Sequence, residues 1–172
     1  SGALLRSEFP QLRFLEIPSV TINYPKKGSF FFLKILFQIP KFFKNIRDEK
    51  TNLQRIHRSE NFDLILSDNR YGLYLKDVPS LIITHQIFPK LPRPVRFLEK
   101  FTGKLHAKLL KKFNAVLIPD YHGERNLSGS LSHGATKLNL HYIGPLSRFE
   151  YSKMRVGDNL SSDILIILSG PE

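Results

Sequence analysis

The stretch "FDLILSDNRYGLY" at residues 62–74, followed by "VPSLIITHQ" at 78–86, decides the fold. Residues 62–66 form a short apolar run between the polar segments "HRSEN" and "SDNR", the pattern of a strand buried on both faces of a sheet. Residues 81–84 repeat it, so two strands are joined by a polar loop.

Moving toward the N-terminus, Ser29 is placed to cap a helix over 29–58. Phe32, Ile35, Leu36, Ile39, Phe42, Phe43 and Ile46 keep helical spacing there, and Pro40 is expected to kink or split the helix. "RFLEIPS" at 13–19 reads as a strand ended by Pro18, and residues 2–9 as a short helix closed by Pro10. Toward the C-terminus, 95–113 reads as a helix. Val95, Leu98, Phe101, Leu105, Leu109 and Leu110 would face inward, and Lys100, Lys104, Lys108, Lys111 and Lys112 outward. "AVLIPD" at 115–120 is a further strand, "GERNLSGSLSHGATK" at 123–137 a polar loop, and "NLHYIGPL" at 139–146 a strand stopped by Gly144 and Pro145.

Strands separated by helices predict an α/β chain with a Rossmann-like parallel sheet, whose ligands sit at the carboxyl ends of the strands. "SKMRVGDNLSS" at 152–162 has the composition of a linker, and 164–168 is one more apolar strand. A single strand forms no sheet by itself. The expected organisation is therefore a domain over 1–149, a linker over 150–162, and the first strand and loop of a second domain over 163–172.

With 172 residues, 41% of them hydrophobic, the chain is long enough to bury a core, and the lack of cysteine excludes disulfides, thiolate metal sites and cysteine nucleophiles. The formal charge of +11 favours anionic partners: nucleic acid, acidic lipid or phosphorylated substrates. The N-terminus lacks the basic, apolar and small-residue regions of a signal peptide, so secretion is not expected. "FFFLKILFQIPKFF" at 30–43 is interrupted by Lys34, Pro40 and Lys41, and falls short of the roughly 20 apolar residues needed to span a bilayer.

Candidate chemistry lies where strands end. Asp68, Asn69, Arg70 and Tyr71 follow the first strand; Thr84, His85 and Gln86 end the second, so Asp68 and His85 are candidates for a base and its orienting partner. The competing structural reading has Asp68 or Asn69 shaping a turn, Arg70 paired with a nearby carboxylate and His85 held by a structural hydrogen bond. His57, His106, His122, His133 and His141 show no metal-ligand spacing, and no metal site is expected. Walker, dinucleotide-binding and serine-hydrolase motifs are absent from the sequence. The helix over 30–47 carries six phenylalanines among Lys34, Lys41, Lys44 and Arg47. Phe30, Phe31, Lys34, Phe37 and Lys41 are therefore candidates for contact with a membrane surface, set against a plain core-facing helix with solvated cations. None of the sequence signatures of nucleic-acid-binding modules occurs, and no nucleic-acid partner is expected.

"DLILSDNRYGLY", "VPSLIITHQ", "AVLIPD", "HYIGPLSRF" and "ILIILSGPE" together resemble a group of bacterial GT-B glycosyltransferases. These are related to the N-acetylglucosaminyltransferases that act on undecaprenyl-diphospho-muramoylpentapeptide, the peptidoglycan lipid precursor. The resemblance runs through nearly the whole chain, and "SDNRYGL", "THQ" and "GPLSRF" are its most specific parts.

The resemblance implies two Rossmann-like domains, the first facing a lipid-linked or envelope acceptor and the second binding a UDP-linked nucleotide-sugar as co-substrate. No cofactor or metal is implied. Asp68, Asn69, Arg70, Tyr71, Thr84, His85 and Gln86 would then lie on the cleft side, and Gly144, Pro145, Ser147 and Arg148 near the hinge. Ser169 and Gly170 would belong to the loop near the donor diphosphate. Such enzymes are cytoplasmic and peripheral at the inner face of the cytoplasmic membrane. Family members begin with a strand and a glycine-rich loop and end with the donor domain, so this chain is expected to be the N-terminal part of a GT-B fold and inactive by itself. The alternative expectation, from charge alone, is a non-enzymatic basic module that binds anionic membrane or nucleic acid.

Overall fold

The computed structural model describes residues 6–15, 17, 31–91 and 93–146, with the backbone alone for 31–37 and 94. Helix α1 spans Phe31–Glu60. Strands β1 (Ile65–Asp68) and β2 (Ser80–Ile83) follow, then a 3-10 segment at Arg93–Leu98 that leads into helix α2 (Glu99–Leu110). Strand β3 (Ala115–Ile118), a 3-10 turn at Gly129–Leu131 and strand β4 (Leu140–Tyr142) complete the order. The strands lie side by side as β1-β2-β3-β4 and every neighbouring pair is parallel. The chain is thus α/β with a four-stranded parallel sheet, consistent with a Rossmann-like arrangement.

Helix α1 buries a stripe at Ile46, Glu49 and Leu53, a spacing of three and four residues that stays on one helical face. Leu53 packs with Ile65, Leu75 and Val78 beneath β1 and β2. The helix ends at Asn61, whose left-handed backbone (φ 50°) lets its N–H donate to the His57 carbonyl at 2.9 Å. Of the two effects expected of Pro40, a kink or a split, the split does not occur: the helix assignment continues through it. The proline removes a single backbone donor, and the turns on either side supply their own hydrogen bonds.

Three further expectations differ from the structure. Residues 13–15 and 17 form no strand, and Arg13 instead pairs with Glu60 at 2.6 Å. Strand β1 begins at Ile65 rather than Phe62, because the Phe62 N–H donates to His57 Nδ1 (3.0 Å) and is drawn out of the ladder. The helix over 95–113 divides into the 3-10 segment and α2, which changes the angular step per residue and breaks the phase of the apolar stripe. Leu98 and Phe101 face solvent, the latter 67% exposed, whereas Val95, Leu109 and Leu110 are buried as expected.

Burial in the sheet is uneven. Register places Ile65, Ser67, Ser80, Ile82, Val116 and Ile118 on one face, all buried, where Leu110 and Phe113 from the end of α2 join them. The opposite face carries Leu66, Leu81, Ile83, Ala115 and Leu117; Leu66 is 55% exposed, Ala115 is buried and the other three are half-buried. A strand buried on both faces was expected at β1; Leu66 instead is exposed, because among the described residues α1 and α2 pack on the face that carries Ile65 and Ile82.

Candidate functional site

The carboxyl ends of β1 and β2 open into a cleft of about 510 Å³. Asn69 and Tyr71 come from the loop after β1, His85 and Gln86 from the end of β2, and Phe42 from α1. Thr102, Leu105, His106 and Leu109 of α2 form the facing wall, with Pro89 beside them. The lining therefore combines apolar side chains with polar ones from both the sheet edge and α2, the usual build of a pocket for a small organic ligand.

Local structure explains how the loop after β1 is held. Asn69 takes a left-handed conformation (φ 51°), tolerated by asparagine, and its N–H donates to the Ile83 carbonyl at 3.1 Å. Ser67 Oγ, buried, donates to the Arg70 carbonyl at 2.6 Å and closes the turn. Arg70 points away from the cleft: its Nε donates to Oε1 of the buried Glu49 at 3.0 Å. Gly72 N–H donates to the other Glu49 oxygen, also at 3.0 Å, so one carboxylate pins the loop to α1 twice. The alternative reading of Arg70, as one half of an ion pair, matches this geometry.

Tyr71 and His106 form a hydrogen-bonded pair across the cleft, Oη to Nε2 at 2.9 Å. The other ring nitrogen, Nδ1, faces the Ile87 carbonyl at 3.2 Å, and a carbonyl only accepts. Nδ1 therefore carries the proton, Nε2 is the acceptor and the Tyr71 hydroxyl donates. Burial is the main influence on His106 and lowers its pKa below the ordinary histidine value, against the contrary pull of the Ile87 carbonyl. The imidazole is neutral at pH 7, and the Tyr71 hydroxyl has a direct path for its proton to Nε2.

The remaining candidates separate by position. Asp68 is exposed at the end of β1 and does not line the cleft; among the described residues its side chain makes no hydrogen bond to His85. Thr84 is 1% exposed and acts within the chain, its Oγ1 accepting the Gln86 N–H at 3.2 Å. Gly144 has a φ of 77° and donates its N–H to the Asp120 carbonyl at 3.1 Å, with Pro145 exposed next to it. Lys41 is exposed on α1. Phe31, Lys34 and Phe37 lie in the same helix, known there by backbone only, while Phe30, Ser147, Arg148, Ser169 and Gly170 lie outside the described residues. So do the expected linker and second domain.

One group was not anticipated from the sequence. Asp120, 1% exposed just beyond β3, accepts the N–H groups of Tyr121 (2.7 Å), Leu127 (2.8 Å) and Ser128 (2.9 Å). The Ser128 hydroxyl also donates to it, and His133 Nε2 stands 3.3 Å away. Burial opposes ionisation of this carboxyl, but the hydrogen bonds from Ser128, Leu127 and Tyr121 outweigh it and hold the group well below the usual carboxylate range. The loop so gathered presents the Leu131 carbonyl to the N–H groups of Ile87 and Phe88, both at 2.8 Å. Ile87 is the residue that fixes the His106 tautomer, so Asp120 supports the cleft from outside it.

Among the described residues no group of three His, Asp or Glu side chains is placed to hold a metal ion, and no helix is long and apolar enough to cross a membrane. No protein-family model matches the chain, and comparisons with curated proteins and with solved structures return no match.

Proposed function

We propose that the chain is the acceptor-side part of a GT-B glycosyltransferase, which transfers a sugar such as N-acetylglucosamine from a UDP-linked donor to a lipid-linked or cell-envelope acceptor. The observation that carries this reading is the Tyr71–His106 pair in an apolar cleft at the carboxyl edge of a parallel sheet. An acceptor hydroxyl donates to Tyr71 Oη. As its oxygen bonds to the anomeric carbon and the nucleoside diphosphate departs, its proton passes to Tyr71 while the Tyr71 proton passes to His106 Nε2. The imidazolium so formed keeps its Nδ1–H on Ile87, and Asn69, His85 and Gln86 supply further polar partners for a sugar.

A lipid-linked acceptor agrees with the surroundings. Ile39 and Phe43 on α1, and Phe97 and Phe101 near α2, are exposed apolar side chains next in sequence to residues of the cleft or close to them. Lys41, Lys44, Lys100 and Lys104 lie among them, also exposed, a mixture suited to the anionic inner face of the cytoplasmic membrane. The cytoplasmic, peripheral location belongs to the same proposal.

The test is sugar transfer to a lipid-linked acceptor by the chain joined to a donor-binding domain. Tyr71→Phe and His106→Gln should each lower kcat/KM by about a hundredfold or more, the scale of general acid–base assistance. Activity should persist down to pH values below the ordinary histidine pKa of roughly 6.5, since burial holds His106 neutral there, and fail only beneath its lowered value. Full turnover by both variants removes the pair from the reaction.

A further inference from the structure

A second cleft, of about 410 Å³, lies at the opposite edge of the sheet, between the C-terminal half of α1 and the segment that precedes β2. Lys50, Gln54, His57 and Arg58 line it from the helix, and Lys76 and Asp77 from the segment. Three full positive charges thus face one carboxylate, a net charge of two. Among the described residues Lys50, Arg58 and Lys76 form no ion pair, with Asp77 or with any other acid.

The helix terminus does not account for this surplus. The last turn of α1 holds His57 and Arg58, and a helix C-terminus offers about half a negative charge, less than Arg58 alone supplies. Lys50 is held in place: its Nζ donates to Tyr74 Oη at 3.0 Å and sits 4.2 Å from the ring centroid, while Lys112 approaches the same ring at 5.3 Å. Burial disfavours the Tyr74 phenolate, but the Lys50 hydrogen bond and the charges of Lys112 and Lys50 prevail, and the phenol is more acidic than usual. His57 is held too. Its Nδ1 accepts the Phe62 N–H at 3.0 Å, so in the neutral ring the proton stays on Nε2 as a donor.

We propose that this second cleft binds a phosphate group carrying two negative charges, either a phosphate monoester or the end of a diphosphate. Such a group has a charge of about −1.5 to −2 at pH 7 and several acceptor oxygens. It matches both the net charge and the donor set of Lys50, His57, Arg58 and Lys76. The site is distinct from the Tyr71–His106 cleft and independent of the reaction proposed for it.

Titration of pyrophosphate into the isotope-labelled chain at fixed ionic strength tests the site, followed by NMR at the His57 imidazole and the Gln54 amide. Saturable shifts are expected at both, with none when sodium chloride replaces pyrophosphate. Arg58→Gln and Lys76→Gln should each weaken the affinity about three- to fivefold, the scale of a single exposed ion pair, whereas Lys137→Gln in the loop before β4 should leave it unchanged. The absence of saturable shifts overturns the proposal, as does equal weakening by Lys137→Gln, which would reduce the effect to diffuse charge. Vesicles containing phosphatidic acid form a second arm. Binding to them that depends on Arg58 and exceeds pyrophosphate identifies a lipid headgroup as the phosphate source, and weaker binding identifies a soluble ligand; either result supports the site.

Discussion

Asp120 gives the clearest consequence at the scale of single residues. Its carboxyl titrates below the usual range in the folded chain and near 3.9 when unfolded, so its stabilising contribution is full above that pH and is lost as the pH falls below it. Asp120→Asn should lower the denaturation midpoint at neutral pH and make stability depend less on pH in acid. Urea melts at pH 7 and pH 3 check this, and an unchanged acid dependence would refute the assignment. The sequence pattern that drew attention to Asn69, Tyr71, His85 and Gln86, polar residues directly after a strand, applies equally to Asp120 in "AVLIPD". What no local pattern contains is the partner. His106 lies 35 residues from Tyr71, and Glu49 lies 21 from Arg70, and only the packing of α2 and α1 on the sheet joins them.

Among the elements, α1 and the loop after β1 fit so closely that a glycine is required at their contact. A Cβ on Gly72 would stand 2.4 Å from the Ile46 carbonyl oxygen and 2.5 Å from Glu49 Cβ, within the backbone and stem of the helix. Gly72→Ala should therefore destabilise the fold by about 1–3 kcal/mol, the range for overpacking, as measured by denaturant unfolding. A variant with the wild-type midpoint would show that α1 does not pack there. The helix itself was legible from the spacing of its apolar residues, and its inner stripe was marked by an acid, Glu49, set between Ile46 and Leu53. The 3-10 start before α2 was not legible: the apolar positions continue through it, and the change of pitch comes from the backbone of a proline-rich segment.

For the molecule as a whole, the parallel sheet followed from the alternation of apolar runs and helical stripes, while its uneven burial did not. A short apolar run looks the same whether one face of a strand is covered or two. That difference governs behaviour in solution. β1 stands at the edge of the described sheet, with no neighbouring strand on its outer side among the described residues, and Leu66 beside it is 55% exposed. An open edge flanked by aliphatic side chains is adhesive toward another copy of itself, and natural sheets blunt such edges with lysine. Leu66→Lys should accordingly slow the concentration-dependent rise in light scattering by the isolated chain while leaving its melting temperature nearly unchanged. Storage life is therefore expected to shorten more with rising protein concentration than with modest warming.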